Sequence, residues 1–449
     1  MSLGACRLKK RILVLVVGLW AILNFSSCGG SSKPKDPPSG LPDRVLASQG
    51  VSATFSRGGL VILNGYNDTI PGLAPIQAGN SPGLMAISPS RNIAATFDAG
   101  SSNVYAVDTF KETDIGNVRI PGPTSSMAFP TAQPIGYAAI PTATVNGYTF
   151  VGAVDILDFV RSQLTTIAVT NAQTVIANTN GTQLLVFSND SDSITVLTPS
   201  NAVSPVDLSC QSAPNAVCTQ VPGFDRPVWA VVSGNTAYIM NCGAECGGVQ
   251  ASVQTLDLGS LAVGPPVLVN GATIGLLSGT QLFVAGNGTP TGPLCKSIAG
   301  AAPTSATYCG TLDIIDLNTM TDPYYNNPSI EIAIPDGFHW RIDMTTNGQV
   351  FVGSQHCTNI GNVSNPVGEV RGCLAIYRTA NNSVVFPPDN GDVNGLQGFT
   401  TRDVEYVAEG GSLRVYDTLT DVLLINDFLP EGNINIVGYV GDIKAIDFF

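Results

Sequence analysis

Short apolar runs separated by turn residues recur along most of this chain, and residues 84–120 give the clearest copy. Two apolar runs, at residues 84–87 and 93–97, are followed by an alternating run that ends in Asp108 and by a short run at residues 117–120. Short runs bounded by glycine, serine, asparagine and proline are typical of antiparallel strands rather than of helices. Four such strands in about 40 residues form one blade of a β-propeller if the unit repeats.

The unit does repeat, and three separate counts give the same number of copies. The inner strands are predicted to begin near Leu84, Ser126, Thr174, Val228, Thr273, His339, Leu396 and Asp442. The second strands are predicted at residues 44–48, 93–97, 136–140, 184–188, 237–241, 281–285, 350–353 and 404–408. The third strands are predicted to centre on Ile62, Tyr105, Asp155, Thr195, Gln254, Ile314, Ala375 and Val415. We therefore expect eight four-stranded blades, with seven as the alternative if one unit is degenerate.

The two ends of the repeat complement each other. The first unit begins at Arg44 and has no inner strand of its own, whereas residues 440–447 form an inner strand with no blade after it. If the C-terminal strand completes the first blade, the ring has no open sheet edge and the two ends of the chain are held together. The predicted fold is therefore all-β, a single closed β-propeller over residues 44–449.

Motifs within this repeat resemble those of the YVTN-repeat family of bacterial secreted and surface propellers. The unit of that family has a Ser-Pro-Asp-Gly turn, then Tyr-Val-Thr-Asn on the second strand, and a third strand that ends in Val-Ile-Asp. Ser88-Pro89-Ser90-Arg91 matches the turn, and Tyr238-Ile239-Met240-Asn241 and Leu185-Val186-Phe187-Ser188-Asn189 match the second strand. The third-strand ending appears as Ala106-Val107-Asp108, Thr255-Leu256-Asp257, Ile314-Ile315-Asp316 and Val415-Tyr416-Asp417. The resemblance covers about residues 44–449 and implies the fold, but it leaves the function open because such propellers have many roles.

Residues 1–28 have the pattern of a bacterial lipoprotein signal. Basic residues at positions 7–11 precede an apolar core at residues 12–23, which is shorter than the roughly 20 residues of a transmembrane helix. Phe25-Ser26-Ser27-Cys28 resembles a lipobox, which implies a lipid on Cys28 and an exported protein anchored in the cell envelope, in the outer membrane and periplasm or at the cell surface. The alternative is an ordinary secretory signal. Residues 29–43 are rich in proline, serine and glycine and are predicted to be a flexible tether.

The charge of the chain limits its partners. Only 12% of the residues are charged, and the formal net charge is −13. Removal of the basic signal would make the exported chain more acidic still. Phosphate backbones and anionic lipid headgroups repel such a chain, so we expect no nucleic-acid partner and contact with the membrane only through the N-terminal lipid. An envelope protein or a small polar ligand is the expected partner.

Eight cysteines follow Cys28, and they form four pairs that are close in sequence. An even number of cysteines in an exported chain predicts disulfides. The pairs are Cys210 with Cys218, Cys242 with Cys246, Cys295 with Cys309, and Cys357 with Cys373. Three of them lie between a second and a third strand, so we expect three cross-linked loops on the face where the chain enters each inner strand. The alternative is a zinc site built from Cys242, Cys246, His356 and Cys357, but exported cysteines at these spacings are far more often disulfides.

Charged residues also gather where the chain enters two of the inner strands. Asp225 and Arg226 precede one strand, and His339 and Arg341 begin another. Residues two apart in a strand project the same way, so we expect His339 and Arg341 to face the channel mouth together with the first two residues and to bind a small polar or anionic ligand. The alternative is that Asp225/Arg226 and Asp336/Arg341 are ion pairs that order the loops, with Trp229 and Trp340 packed between blades. Asp392 and Asn394 mark a third polar approach.

No complete catalytic motif is present in the sequence. The chain has two histidines, and it has no nucleophile elbow, zinc-protease helix, phosphate loop or dinucleotide fingerprint. Asp108, Asp257, Asp316 and Asp417 are predicted to form turns at strand ends rather than to act as acids or bases. Asp190 and Asp192 could ligate calcium, although a short acidic turn is more often solvated.

The sequence therefore predicts an exported, lipid-anchored propeller that acts as a non-catalytic binding or scaffold module and needs no cofactor or metal. Two alternatives remain open. One is a propeller hydrolase or lyase, similar to a lactonase, with its site at the channel mouth and His339 as its base. The other is a structural protein of the cell surface that associates with itself.

Overall fold

The computed structural model describes residues 36–51, 58–145, 148–202, 204–207, 216–288, 309–357, 373–387, 391–426 and 429–447. The regular structure in these ranges is almost all strand, with short 3-10 helices at Pro199–Asn201 and Gly243–Cys246. No helix in the described ranges is long and apolar enough to span a membrane. The predicted signal with its lipid-bearing Cys28 lies outside the described residues.

Eight antiparallel sheets form a ring, and each sheet is one blade. Their inner strands contact one another in succession round the ring, and the last contacts the first, so the structure confirms an eight-bladed propeller. From the first blade to the eighth, the inner strands are β35 (Tyr439–Ala445), β3 (Pro82–Ile87), β7 (Ser126–Ala128), β13 (Ala172–Ala177), β18 (Pro227–Ser233), β22 (Ile274–Ser278), β26 (Phe338–Met344) and β30 (Val393–Gly398).

The second and third strands of each blade agree with the predicted positions. The second strands are β1 (Arg44–Gly50), β4 (Ile93–Asp98), β8 (Ile135–Ile140), β14 (Leu184–Ser188), β19 (Thr236–Asn241), β23 (Gln281–Gly288), β27 (Gln349–Gln355) and β31 (Val404–Glu409). The third strands are β2 (Gly59–Asn64), β5 (Asn103–Asp108), β11 (Ala153–Asp158), β15 (Ser193–Leu197), β20 (Ser252–Asp257), β24 (Cys309–Asp316), β28 (Leu374–Arg378) and β32 (Ser412–Asp417).

The outer strands are the least regular part of each blade. In the second to the eighth blades they are β6 (Thr113–Arg119), β12 (Gln163–Ala168), β17 (Cys218–Pro222), β21 (Val267–Leu268), β25 (Ala333–Ile334), β29 (Ser383–Val385) and β33 (Val422–Leu423). In the first blade two isolated bridges, Leu60 with Ile76 and Asn64 with Thr69, take this place. Four further strands decorate the ring: the hairpin of β9 (Ala143–Val145) and β10 (Tyr148–Phe150), β16 (Val206–Asp207) beside β12, and β34 (Asn433–Ile434) beside β32.

The two ends of the chain close the ring as the sequence predicted. The C-terminal strand β35 pairs antiparallel with β1, with Val45 opposite Ala445 and Gln49 opposite Val440. A buried ion-pair network reinforces the junction. The Arg44 guanidinium donates to both carboxylate oxygens of Asp447, at 2.7 and 2.9 Å, and to Glu112 of the second blade at 2.8 Å. One arginine thus connects the first described strand, the C-terminal segment and the neighbouring blade.

The hydrophobic core lies between the blades rather than at the centre of the ring. All residues of β4 and of β31 are buried, because a second strand has a neighbouring blade against each of its faces. Each apolar cluster therefore contains side chains from adjacent blades. The rings of Phe129 and Phe159, for example, stack at 5.8 Å within a cluster that also contains Phe97 from the second blade. Packing between blades leaves the axis of the ring to the inner strands.

Aspartates at the ends of third strands form turns, as predicted. The Oδ1 atoms of Asp108, Asp257, Asp316 and Asp417 each accept the backbone N–H two residues further on, at 2.7–3.1 Å. This hydrogen bond stabilises a tight turn that leads into the next part of the blade. The repeated Val-Ile-Asp-like ending therefore reflects folding rather than chemistry.

Replacement of Arg44 tests the closure of the ring. We expect Arg44→Ala to lower the free energy of unfolding by about 3–5 kcal/mol, because the substitution removes the arginine partner of the buried Glu112 carboxylate. The matched control is Arg161→Ala, which removes an ion pair to Asp158 from an arginine whose side chain is 71% exposed and should cost less than about 1 kcal/mol. Urea denaturation followed by circular dichroism measures both, and equal losses would contradict a special role of Arg44.

Candidate ligand site at the channel mouth

An extra residue recurs near the start of the inner strands. In β13, β18, β26 and β30, the pairing with the second strand skips one residue, and the skipped residues are Gln173, Val228, Trp340 and Asn394. Such a β-bulge leaves the extra residue out of the ladder and redirects its side chain. The first three of these residues line one cavity at the mouth of the central channel.

The bulge in β26 contradicts the expectation that His339 and Arg341 project the same way. His339 is opposite Ser354, and Arg341 is opposite Gly353, with Trp340 skipped between them. Neighbouring residues of β27 face opposite sides of the sheet, so their partners His339 and Arg341 do so as well. Counting by two along the sequence was therefore wrong at this position.

The cavity at the channel mouth has a volume of about 320 Å³ and a divided lining. This volume is at the lower end of the range of about 300–1,000 Å³ that is usual for small-molecule sites. The third and fourth blades contribute uncharged hydrogen-bonding side chains, namely Ser125, Ser126, Gln173, Thr174, Ser188 and Asn189. The fifth and seventh blades contribute the aromatic side chains of Trp229, Phe338 and Trp340, while Gln355 of the seventh blade and Phe187 of the fourth also belong to the lining.

The polar part of the lining is already ordered by its own hydrogen bonds. Gln173 donates from Nε2 to the Ser125 hydroxyl at 3.1 Å, and Asn189 donates from Nδ2 to the Gln173 side-chain oxygen at 3.3 Å. All of these groups are accessible to solvent. Each carboxamide has donors and acceptors beyond those that it uses in these two bonds, so the array can also bind a ligand.

Phe338 is the most exposed aromatic side chain of the mouth, with 49% of its surface accessible. It follows Gly337, whose φ of 101° is one that L side chains rarely adopt. A Cβ on Gly337 would also lie 2.4 Å from the backbone oxygen of Gln355. The two tryptophans are more enclosed. Trp340 donates from Nε1 to the Val393 oxygen of the eighth blade at 2.7 Å, and Trp229 packs against the neighbouring apolar clusters, so both also pack between blades as predicted.

The guanidinium of Arg341 is engaged by several groups within the channel wall. Its Nε donates to the Asn394 oxygen at 2.9 Å, its guanidinium lies 3.7 Å from the Trp340 ring centroid, and a terminal nitrogen lies 3.5 Å from Asp442 Oδ2. Burial lowers the pKa of Arg341, and the charge of Asp442 opposes this change. The predicted pair with Asp336 is thus replaced by a pair with Asp442 on the closing strand β35.

His339 is buried, and its ring packs against the sixth blade. Its Nε2 donates to the Pro335 oxygen at 2.8 Å, and the ring lies where a Cβ on Gly310 of the sixth blade would meet it at 2.7 Å. Burial lowers the pKa of His339 to about 4, so the ring is neutral near pH 7. This residue therefore packs one blade against the next.

Asp225 and Arg226 order loops rather than line the cavity. The Asp225 carboxylate accepts the backbone N–H groups of Val249 and Gln250, the second at 2.7 Å. Arg226 lies 3.8 Å from Asp192 rather than pairing with Asp225. Asp192, which the sequence offered as a calcium ligand, is therefore a partner of Arg226.

Two of the predicted disulfides are present in the described residues. Cys242 bonds to Cys246 and Cys357 bonds to Cys373, with Cα–Cα distances of 5.6 and 5.7 Å. These bonds use three of the four ligands of the alternative zinc site. Cys218 is also disulfide-bonded, whereas its predicted partner lies outside the described residues. The predicted disulfide between Cys295 and Cys309 is not described either, because Cys295 and the side chain of Cys309 lie outside the described part of the chain, as Cys210 does.

The cross-linked loop of the fifth blade is tied to the mouth by hydrogen bonds. Glu245, within the disulfide loop, accepts the backbone and side-chain N–H groups of Asn287 at 2.8 and 2.7 Å. Asn287 in turn donates to the Gly337 oxygen at 2.8 Å. In the eighth blade, Asp392 accepts the backbone N–H of His356 at 2.8 Å, and Asn394 donates to the Tyr439 hydroxyl at 2.7 Å. Loops of the fifth to eighth blades thus form one connected rim.

Of the four predicted site residues, only His339 and Arg341 are part of the cavity lining, and both also serve the fold. The accessible lining residues Phe338, Gln173 and Asn189 were not predicted. The aromatic residues at the start of two inner strands, Trp229, Phe338 and Trp340, could have indicated a ligand surface. The sequence-based prediction assigned the two tryptophans to packing between blades alone.

Comparison with known proteins supports the fold without identifying a family. No protein-family model matches the sequence, and no curated protein matches it. The chain is similar in structure to hydrazine synthase from Kuenenia stuttgartiensis, with a TM-score of 0.50 and 14% identity over 78% of this chain and 99% of that chain. It is also similar to dihydro-heme d1 dehydrogenase NirN in complex with DHE, with a TM-score of 0.56 and 12% identity over 92% of this chain and 79% of that chain. Identities this low show a shared fold alone.

The buried imidazole of His339 predicts a stability that depends on pH. The unfolded chain binds a proton at this residue below pH about 6.5, whereas the folded protein does so only near pH 4, so the contribution is lost as the pH falls through this window. We expect the unfolding free energy of wild type, measured relative to that of His339→Gln, to fall by about 3 kcal/mol between pH 7 and pH 4. Urea denaturation at several pH values measures this difference, and a constant difference would contradict the assignment.

Proposed function

We propose that this chain is an exported, lipid-anchored propeller of the YVTN-like type that acts as a binding module of the bacterial cell envelope, with its ligand site at the channel mouth. The observation that carries the proposal is the mouth cavity, which combines an accessible array of hydrogen-bonding side chains with exposed aromatic surface. Small-molecule sites have this composition, with apolar walls and a few polar groups that fix orientation.

The position of His339 favours binding over catalysis. A hydrolase or lyase at this mouth needs a base within reach of the substrate. The His339 ring is buried against the sixth blade and its Nε2 donates to the Pro335 oxygen, so this nitrogen is already engaged and is not a free base at the cavity. Ester or lactone hydrolysis that is abolished by Phe338→Ala would overturn the non-catalytic assignment.

The name of one structural neighbour, dihydro-heme d1 dehydrogenase NirN, suggests a haem-type ligand, and the mouth does not fit one. Haem iron is held in proteins by histidine, cysteine, methionine or tyrosine. Among the described residues that line the cavity, the candidate iron ligands are the imidazole of His339, which is buried, and the sulfur of Cys246, which is in a disulfide. We therefore do not extend haem binding to this chain.

Envelope anchoring is supported by the sequence of residues 1–28 and by the disulfides, which are typical of exported proteins. The contrasting possibility is a structural surface protein. Such a protein would associate with itself through the rim and would retain no ligand that depends on the mouth.

A capture experiment tests the proposed site. The full chain is immobilised as wild type, as the double variant Phe338→Ala/Gln173→Ala, and as the control Phe110→Ala, which truncates an aromatic residue of similar exposure (43%) in a turn of the second blade. After incubation with envelope extract, retained small molecules and proteins are identified by mass spectrometry. We expect a component that wild type and control retain and that the double variant loses at least tenfold.

Both substituted side chains are accessible, so their loss should leave the fold intact, and circular dichroism checks this. Equal recovery by all three chains would overturn the mouth as the site. It would direct attention to the disulfide-linked rim or, if only the chain itself is recovered, to a structural role.

A further inference from the structure

We infer that the ligand of the channel mouth is a neutral saccharide of one or two rings, stacked on Phe338 and hydrogen-bonded by Ser125, Gln173 and Asn189. This inference rests on the proposed binding function and specifies its ligand class. It follows from three properties of the lining: its charge, its division into polar and aromatic parts, and its size.

The mouth is not built for an anion. Among the described residues that line the cavity, the permanently charged side chain is that of Arg341, and it is paired with Asp442 rather than free. Its Nε is also engaged with the Asn394 backbone oxygen, and its guanidinium lies against Trp340. An anion would have to compete with a fully buried carboxylate and to approach a strongly acidic chain.

The mouth is not built for a cation either. An aromatic cage can hold an ammonium group. Nearby carboxylates strengthen the binding of that group, and a nearby positive charge weakens it. The described lining of this cavity contains no carboxylate, and the guanidinium of Arg341 lies 3.7 Å from the Trp340 ring centroid. A second cation at this aromatic wall would be repelled by the first.

A sugar ring matches what remains. Its hydroxyl groups both donate and accept hydrogen bonds, as do the hydroxyls and carboxamides of Ser125, Gln173 and Asn189. Its C–H face is apolar and flat, and it fits against an aromatic ring such as that of Phe338, which is half exposed beside the cavity. A cavity of about 320 Å³ accommodates one or two rings rather than a long chain.

The chain contains a built-in reporter for this site. It has three tryptophans, of which Trp20 lies in the predicted signal while Trp229 and Trp340 both line the cavity. In the full chain carrying Trp20→Phe, all tryptophan fluorescence therefore comes from the walls of the mouth. A ligand that enters the cavity changes the surroundings of these two rings directly.

Fluorescence titration of that chain tests the inference. The neutral probes are maltose, lactose, cellobiose and N,N′-diacetylchitobiose, followed by an array of immobilised neutral glycans, and the charged probes are glucuronate, glucosamine and choline. We expect a saturable change with at least one neutral saccharide and none with the charged probes. Phe338→Ala should weaken that binding by about tenfold, Gln173→Ala should also weaken it, and Phe110→Ala should leave it unchanged.

The outcomes separate this inference from the function on which it rests. Saturation by a charged probe that Phe338→Ala abolishes would overturn the saccharide assignment and leave the mouth as a binding site. If no neutral saccharide changes the fluorescence but an envelope component is captured through the mouth, the saccharide assignment is also overturned and the mouth remains a binding site. If no probe changes the fluorescence and no envelope component is captured through the mouth, both the saccharide assignment and the proposed binding function are overturned.

Discussion

The pairing of β35 with β1 joins residues that are about 400 positions apart in the chain, and Arg44 and Asp447 form a hydrogen bond across a separation of 403. Bringing such distant segments together costs loop-closure entropy, which grows only slowly with length and which the buried pairing and ion pairs offset. Closure removes the open edge that an incomplete ring would expose. It also shapes the site, because the closing strand carries Asp442, the carboxylate that pairs with Arg341 in the seventh blade. The way the ring closes thus determines the ion-pair partner of this arginine at the mouth.

Asp442 has this effect because several groups hold it in place. It is fully buried, accepts the Met85 backbone N–H at 2.9 Å and accepts Lys444 Nζ at 2.9 Å. These hydrogen bonds and cations compensate the buried carboxylate, and one of the cations is Arg341 of the seventh blade. Arg341 therefore belongs to a network that spans three blades, the second, the first and the seventh. An anionic ligand that paired with Arg341 would have to break the contacts of this arginine within the network.

The sequence was sufficient for the blade number, the closure, two of the disulfides and the aspartate turns, because each depends on local patterns of apolar and turn residues. It was insufficient for the directions of the mouth side chains. The pairing of β26 with β27 skips Trp340, and nothing in the local sequence marks that residue as the one left out. It was also insufficient for ion-pair partners: Arg341 pairs with a residue 101 positions away, and Asp225 pairs with backbone amides. Such contacts are set by the arrangement of blades in the ring, which local patterns do not encode.

The disulfide-linked rim and the mouth are parts of one arrangement. The Cys242–Cys246 bond fixes the loop that carries Glu245, Glu245 holds Asn287, and Asn287 holds the oxygen of Gly337. Gly337 directly precedes Phe338, and its left-handed backbone determines how the chain turns into β26 and leaves the Phe338 ring half exposed. The Phe338 ring therefore presents an apolar surface beside the cavity that a ligand can cover. The cross-linked loop beside the mouth is thus best understood as a support that holds an aromatic surface in place before a ligand arrives, which lowers the entropic cost of binding.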